Sequence, residues 1–126
     1  MRHRCAGNRL GRTTSHRIAM MKNMANSLLL HERIVTTPAK AKVVKPFVEK
    51  LITLAKEDNQ ATRRRAFAAL RDKAMTSKLF DTIGPRFQSR PGGYCRILHL
   101  AKNRLGDNGE RVIFELVERS EVEAAT

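Results

Sequence analysis

The residues with the clearest chemical potential are the cations near the start of the chain, in a stretch that contains no acid before Glu32. A guanidinium stays charged at physiological pH and forks two hydrogen bonds onto phosphate oxygens. Because this stretch has few apolar side chains before Ile18, it predicts an arm that becomes ordered on a phosphate backbone. A solvated arm without a dedicated partner is the alternative. The cations are Arg2, Arg4, Arg9, Arg12, Arg17 and Lys22, accompanied by His3 and His16.

The charge of the whole chain supports an anionic partner. Its 126 residues include 25 Lys and Arg against 12 Asp and Glu, a formal net charge of +13. Residues 1–104 hold 23 cations and 6 acids, whereas residues 105–126 hold 2 cations and 6 acids. One end of the chain is therefore attracted to a polyanion, and the other is repelled by it.

A catalytic or metal site is not indicated. No acid lies near His3 or His16 in sequence to orient either imidazole ring, although a ribonuclease that uses one of them remains an alternative. His3 and Cys5 lack a second pair of ligands at zinc spacing. The glycine loop around Gly92 has no lysine followed by Ser or Thr, which a nucleotide-binding loop requires. We expect no enzyme activity, cofactor, metal or small-molecule substrate.

Further cations stand where they could reach a nucleic acid. Lys40, Lys42 and Lys45 occupy the polar side of the second predicted helix, and a loop at residues 86–93 is flanked by three arginines. Arg63, Arg64 and Arg65 span nearly a full helical turn and cannot all face one ligand. The acids Asp107, Glu110, Glu115 and Glu118 are interpreted as solvated charges. The loop arginines are Arg86, Arg90 and Arg96.

The kind of nucleic acid follows from what is missing. The sequence contains no zinc finger, basic zipper or glycine-turned helix pair that would read duplex DNA. A cationic arm that orders inside crevices suits folded RNA, which offers enclosed channels lined by phosphates. A protein that compacts DNA remains a further alternative.

Hydrophobic spacing predicts the elements that position these cations. Ile18, Met21, Ala25 and Leu28 recur at helical spacing, and Gly84-Pro85 is expected to end the last helix. The predicted helices are about 15–31, 38–57, about ten residues after Asn59, and 73–83; the predicted strands are 33–37 and a hairpin of 94–100 with 111–117. Val112, Phe114 and Leu116 are expected to point into the core.

These elements predict an α/β fold of two layers, with about four helices on a small three-stranded mixed sheet and an extended basic N-terminal arm. We expect an RNA-binding arm at residues 1–14, one compact domain at 15–118 and an acidic disordered tail at 119–126. Cys5 and Cys95 are predicted to be inert, reduced thiols, which together with the absence of a long apolar span indicates a cytoplasmic protein without membrane contact.

An ordered set of short stretches resembles the ribosomal protein L17 family of the bacterial large subunit. The matching stretches are residues 1–4, 12–17, 32–37, 39–42, 51–56, 78–80, 84–87, 90, 92–94, 96–98, 106–108 and 115–117. The chain departs from the family pattern at Cys5, where a basic residue is expected, and at residues 43–46.

The resemblance implies a structural constituent of the large ribosomal subunit that binds 23S ribosomal RNA. It also implies neighbouring large-subunit proteins near the polypeptide exit region, an α/β fold and no catalysis. Together with the cation pattern, it gives the candidate RNA-binding residues, which are Arg2, His3, Arg4, Arg9, Arg12, Ser15, His16, Arg17, Lys22, Lys40, Lys42, Lys45, Arg86, Arg90 and Arg96.

Overall fold

The computed structural model describes residues 10–119 of the chain. Most of the predicted arm and nearly all of the predicted tail lie outside these residues. Within them the predicted α/β architecture is confirmed, with helices on one side of a small three-stranded sheet.

The first helix, α1, extends over Thr14–His31, close to its predicted bounds. The hydroxyl of Thr13 accepts a hydrogen bond from the backbone N–H of His16 at 3.3 Å and caps the helix. Ala25 and Leu28 are buried as expected, but Ile18 is 47% exposed. Ile18 lies two helical turns before Ala25. At that position neighbouring elements cover only about half of the Ile18 side chain.

Glu32 ends α1 and connects it to the sheet. Its backbone is in the left-handed region at φ 63°, and its N–H donates to the carbonyl of Leu28 at 2.6 Å. Its own carbonyl accepts a hydrogen bond from the N–H of Leu116 at 3.1 Å. The chain therefore passes directly into β1, Arg33–Thr36.

The second helix, α2, extends over Pro38–Ala55 and contributes the longest buried stripe. Pro38 occupies the first turn, where a missing N–H costs nothing. The helix continues through Pro46, which is exposed and faces away from the core. Its buried residues are Ala41, Val44, Val48, Leu51, Ile52 and Ala55.

Two further helices complete the helical layer. Asn59 and Thr62 form a reciprocal capping box that starts α3, Gln60–Leu70, and the carboxylate of Asp72 caps α4, Lys73–Lys78. Both helices pack against α1, and α3 also packs against α2.

The expected end of the last helix at Gly84-Pro85 is wrong. After α4 the chain widens into a π-helical turn, Leu79–Ile83, and continues as a short helix α5, Gly84–Arg86. Gly84 has helical angles, φ −54° and ψ −54°, and a Cβ there would lie 2.5 Å from the carbonyl oxygen of Ala55. The glycine permits close contact with α2 and does not stop the helix.

The sheet contains β1, β2 (Cys95–His99) and β3 (Val112–Leu116) in the order β1-β3-β2. Both ladders are antiparallel, so the expectation of a mixed sheet is wrong. The direction of β1 depends on how the intervening helices return the chain to β3, which local residue patterns do not specify.

The two faces of the sheet differ in character. Val112, Phe114 and Leu116 point into the core with no exposed surface, as predicted. On the outer face, register places Glu115 between Arg33 of β1 and Arg96 of β2. The sheet therefore shields an apolar core on one side and presents a row of charges on the other.

Candidate nucleic-acid interface

The start of α1 presents three of the predicted RNA-binding residues in its first turn. Ser15 and His16 are exposed, and Arg17 is partly exposed. The first turn contains no acidic residue, so the positive end of the helix dipole adds to these groups. Arg12, just before the helix, approaches the Sδ of Met20 at 3.7 Å. The predicted residues Arg2, His3, Arg4 and Arg9 lie outside the described part of the chain.

The lysines of α2 form a second basic surface. Lys42 is exposed, and Lys40 and Lys45 are partly exposed. None of the three forms an ion pair with an acid in residues 10–119, and the same holds for Lys22 on α1. Their charges are thus available to an external anion.

The predicted arginines around the glycine loop have acidic partners within the protein. Arg86 forms an ion pair with Glu32, and its side chain is only 15% exposed. The guanidinium of Arg90 lies 3.7 Å from Glu118, and Arg96 donates to Glu115 at 2.6 Å while remaining 48% exposed. These contacts give Arg86 a structural role and leave Arg96 the most accessible of the three.

Glu115 corrects the interpretation of the C-terminal acids as solvated charges. This residue is 1% exposed, and its carboxylate lies between three arginines. The distances from its oxygens are 2.6 Å to Arg96, 3.3 Å to Arg33 and 3.8 Å to Arg119. Sequence alternation alone could have placed Glu115 on the outer face of β3, but its partners belong to three separate segments.

The glycine loop is anchored at its end by Tyr94, which is buried. The ring of Tyr94 packs edge to face against Phe87, with centroids 5.4 Å apart. Its backbone N–H donates to the carboxylate of Glu49 at 2.9 Å, and the ammonium of Lys56 lies 4.8 Å from its ring centroid. Hydrogen bonding by Lys56 lowers the pKa of the Tyr94 phenol. The loop is thereby attached to α2.

Cations on α3 and α4 were not among the predicted site residues. Arg63 bonds both oxygens of Asp58 at 2.6 and 2.9 Å and reaches Asp81 at 2.8 Å. Arg64, Arg65 and Lys73 are exposed and form no ion pair within residues 10–119. Part of the arginine run thus supports the fold, and its remaining charge faces solvent.

His16 and His31 are not arranged to cleave RNA together. His16 and His31 line the same groove between α1 and β1. They are fifteen residues apart on one helix, which places them about 22 Å apart at 1.5 Å per residue. Two groups that exchange protons with one reacting phosphate must both lie within hydrogen-bonding distance of it.

Other kinds of site find little support in residues 10–119. No group of three or more His, Cys, Asp and Glu side chains there could hold a metal ion. No helix in this part of the chain is long and apolar enough to cross a membrane. Burial raises the pKa of the Cys95 thiol to about 12, which keeps it protonated and unreactive. Cys5 lies outside the described residues.

Fold and charge together define a small basic α/β protein. Over residues 10–119 its acids are largely engaged internally, whereas many of its cations are free. Ion pairs within the protein engage Glu32, Asp58, Asp81, Asp107, Glu115 and Glu118.

Comparison with known proteins identifies the family. The model of the family "Ribosomal protein L17" matches residues 20–117. A large ribosomal subunit protein bL17 from Trichlorobacter lovleyi is 54% identical over 120 residues, covering 95% of this chain and 96% of the relative. The bL17 protein of Syntrophotalea carbinolica is 52% identical over 118 residues, covering 94% of this chain and 76% of the relative.

The chain belongs to the ribosomal protein L17 family. It is a ribosomal protein and not an enzyme, which agrees with the expectation from its sequence.

Proposed function

We propose that the protein is a structural constituent of the large ribosomal subunit in the cytoplasm, where it binds 23S ribosomal RNA and supports its folded structure. The observation that carries this proposal is the imbalance between acids and cations. Arginines form ion pairs with six of the ten acids in residues 10–119, whereas Arg17 and the α2 lysines have no acidic partner there. Family membership supports the ribosome as the place where this charge is used.

The physical mechanism is counterion release. Each phosphate neutralised by a lysine or arginine frees condensed counterions from the RNA, so the binding constant falls as salt concentration rises. Residues 1–14 act as an arm that enters RNA crevices, and the first turn of α1 continues this surface. The lysines of α2 add a second contact on the folded domain.

The proposal extends to neighbouring ribosomal proteins near the polypeptide exit region. Within the described residues, strand β2 lies at an edge of the sheet. The side of its backbone that faces away from β3 can therefore pair with another protein chain. Leu98, on the same strand, is 42% exposed. The hairpin is therefore the part of the domain that we assign to protein neighbours.

The test is sedimentation of ribosomal subunits through gradients of increasing salt. We expect the protein to travel with the large subunit at low and moderate salt and to leave it only at high salt. Recovery among free proteins at every salt concentration would refute the proposal.

A duplex DNA competitor tests the alternative of a DNA-compacting protein. We expect large-subunit RNA fragments to displace the protein from duplex DNA at low concentration. Displacing the protein from the RNA fragments is expected to need a higher concentration of duplex DNA. Equal competition by the two nucleic acids would favour the alternative.

A further inference from the structure

A groove between α3 and α4 contains an aromatic side chain that the core does not use. The groove has a volume of about 640 Å³ and is lined by Phe67, Arg64 and Lys73 among others. Phe80, Phe87 and Phe114 are buried in the core, and Phe47 packs against it. Phe67 is partly exposed and is not part of that cluster. Part of its ring is therefore exposed at the wall of the groove.

The groove carries positive charge. Arg64 and Lys73 are exposed, and neither forms an ion pair within residues 10–119. The acid that lines the groove, Asp58, is paired with Arg63, which also reaches Asp81. The hydrogen bonds from Arg63 hold the pKa of the Asp58 carboxyl below its usual range. The groove lining thus holds three cations, Arg63, Arg64 and Lys73, against this one acid.

The wall behind these groups is held by contacts within the protein. Arg63 bridges Asp58 and Asp81, and its guanidinium lies 5.1 Å from the ring centroid of Phe80. The capping box of Asn59 and Thr62 holds the start of α3 beside it. The groove is consequently supported by contacts that need no ligand.

A partly exposed aromatic side chain beside two unpaired cations matches the chemistry of an unpaired nucleotide. RNA-binding proteins stack splayed bases on aromatic rings and hold the adjoining phosphates with lysine or arginine. We propose that the α3–α4 groove binds one unpaired nucleotide of RNA, with its base on Phe67 and the neighbouring phosphates on Arg64 and Lys73. This inference rests on the proposed RNA-binding function and adds a contact separate from the arm and the α2 lysines.

Fluorescence offers a direct test, because the chain contains no tryptophan. Phe67→Trp in the full chain places the only indole in the groove, and Leu105→Trp provides a control on a loop where the native side chain is 99% exposed. The probes are a single-stranded oligoadenylate of about eight nucleotides and a blunt RNA duplex of the same length.

We expect oligoadenylate to quench the fluorescence of Phe67→Trp strongly and that of Leu105→Trp weakly. The RNA duplex is expected to quench Phe67→Trp less than oligoadenylate does. Adding Arg64→Gln and Lys73→Gln to Phe67→Trp is expected to shift the quenching midpoint to higher oligoadenylate concentrations. Equal quenching of the two tryptophan variants, or equal quenching by duplex and single strand, would overturn the assignment.

A second variant removes the ring without adding a fluorophore. Phe67→Leu keeps an apolar side chain, and loss of one stacked base is expected to weaken oligoadenylate binding roughly 5- to 150-fold. Thermal unfolding checks that the variant is folded. Unchanged affinity in a folded variant would contradict the groove assignment.

Two controls separate this inference from its foundations. If the wild-type chain binds 23S RNA with a steep salt dependence but the indole at position 67 is not quenched, the groove assignment fails and the proposed function stands. If the wild-type chain binds no RNA, both fail. Displacement of oligoadenylate from the groove by oligoglutamate at equal concentration would indicate an acidic protein partner. That result would also overturn the assignment of the groove to a nucleotide.

Discussion

Glu32 and Arg86, which are fifty-four positions apart in the chain, form an ion pair that connects the end of α1 to the end of α5. The Glu32 side chain is 2% exposed and that of Arg86 is 15% exposed. Lys78 approaches the same carboxylate at 4.0 Å, and Arg86 also donates to the backbone carbonyl of Glu118 at 3.1 Å. A cation predicted to contact RNA is thus part of the support of the fold.

Substituting Arg86 alone tests the structural role of this ion pair. We expect Arg86→Met to lower the free energy of unfolding by about 3 kcal/mol, because it takes the closest cation from a buried carboxylate. Urea denaturation measures the loss. Arg65→Met, which removes an exposed cation without an ion pair in residues 10–119, serves as the control and is expected to change stability by less than about 0.5 kcal/mol. Equal effects of the two substitutions would contradict the structural role.

Substituting a lysine of α2, unlike substituting Arg86, is expected to weaken RNA binding and to leave stability unchanged. Lys42→Gln removes an exposed charge that has no acidic partner in the described residues, so the free energy of unfolding is expected to remain within about 0.5 kcal/mol of wild type. Binding to 23S RNA is expected to weaken, with a salt slope reduced by on the order of 0.7 to 0.9. Filter binding at several salt concentrations provides the measurement. An unchanged slope would remove Lys42 from the interface.

Any side chain at Gly84 is expected to destabilise the fold. A Cβ at Gly84 would lie 2.5 Å from the carbonyl oxygen of Ala55, so Gly84→Ala must push α5 away from α2. We expect a destabilisation of about 1–3 kcal/mol. Gly92→Ala is the matched control, because a Cβ at Gly92 would meet no atom within 4 Å. Similar thermal unfolding of both variants would argue against the close contact.

The Cys95 thiol makes stability depend on pH in the alkaline range. Burial raises its pKa from 9.0 to about 12. The unfolded chain loses this proton first as the pH rises, so the contribution of Cys95 to stability is fully present below about pH 9 and is lost as the pH approaches 12. In a Cys5→Ser background, we expect a thiol reagent at pH 8 to modify Cys95 only after unfolding in urea. Rapid modification of the native protein would contradict its burial.

The arm is tested by a deletion that respects the helix cap. Removing residues 1–12 keeps Thr13, whose hydroxyl caps α1, so the domain is expected to remain folded. Affinity for 23S RNA is expected to fall, and each lost phosphate contact reduces the salt slope by on the order of 0.7 to 0.9. Removal of residues 120–126, which contain no cation, is the control. An arm deletion that leaves the slope unchanged would show that the arm does not contact RNA.

The features that the sequence predicted well are local. The bounds of α1 and α2 follow from caps and from apolar spacing, and the six buried residues of α2 recur on one helical stripe. The side chains of Val112, Phe114 and Leu116 alternate along one strand, which is enough to place them on one face. Such patterns are readable because the residues involved are within a few positions of one another.

The features that the sequence predicted poorly depend on distant segments. The sequence predicted that Gly84 ends a helix. The contact that requires a glycine there is with Ala55, which lies on another helix and is distant in sequence. Glu115 resembled a solvated charge because Arg33 and Arg96 reach it only when three strands align. That Phe67 lies outside the core likewise becomes visible only when the rest of the core is assembled.

By itself, the sequence determined the basic character of the protein, its main helices and strands, and its resemblance to a ribosomal family. Composition and short-range periodicity carry that information. Only the tertiary structure decided which charges remain free, because a cation such as Arg86 or Lys42 is assigned its role by the acid that folding does or does not bring beside it.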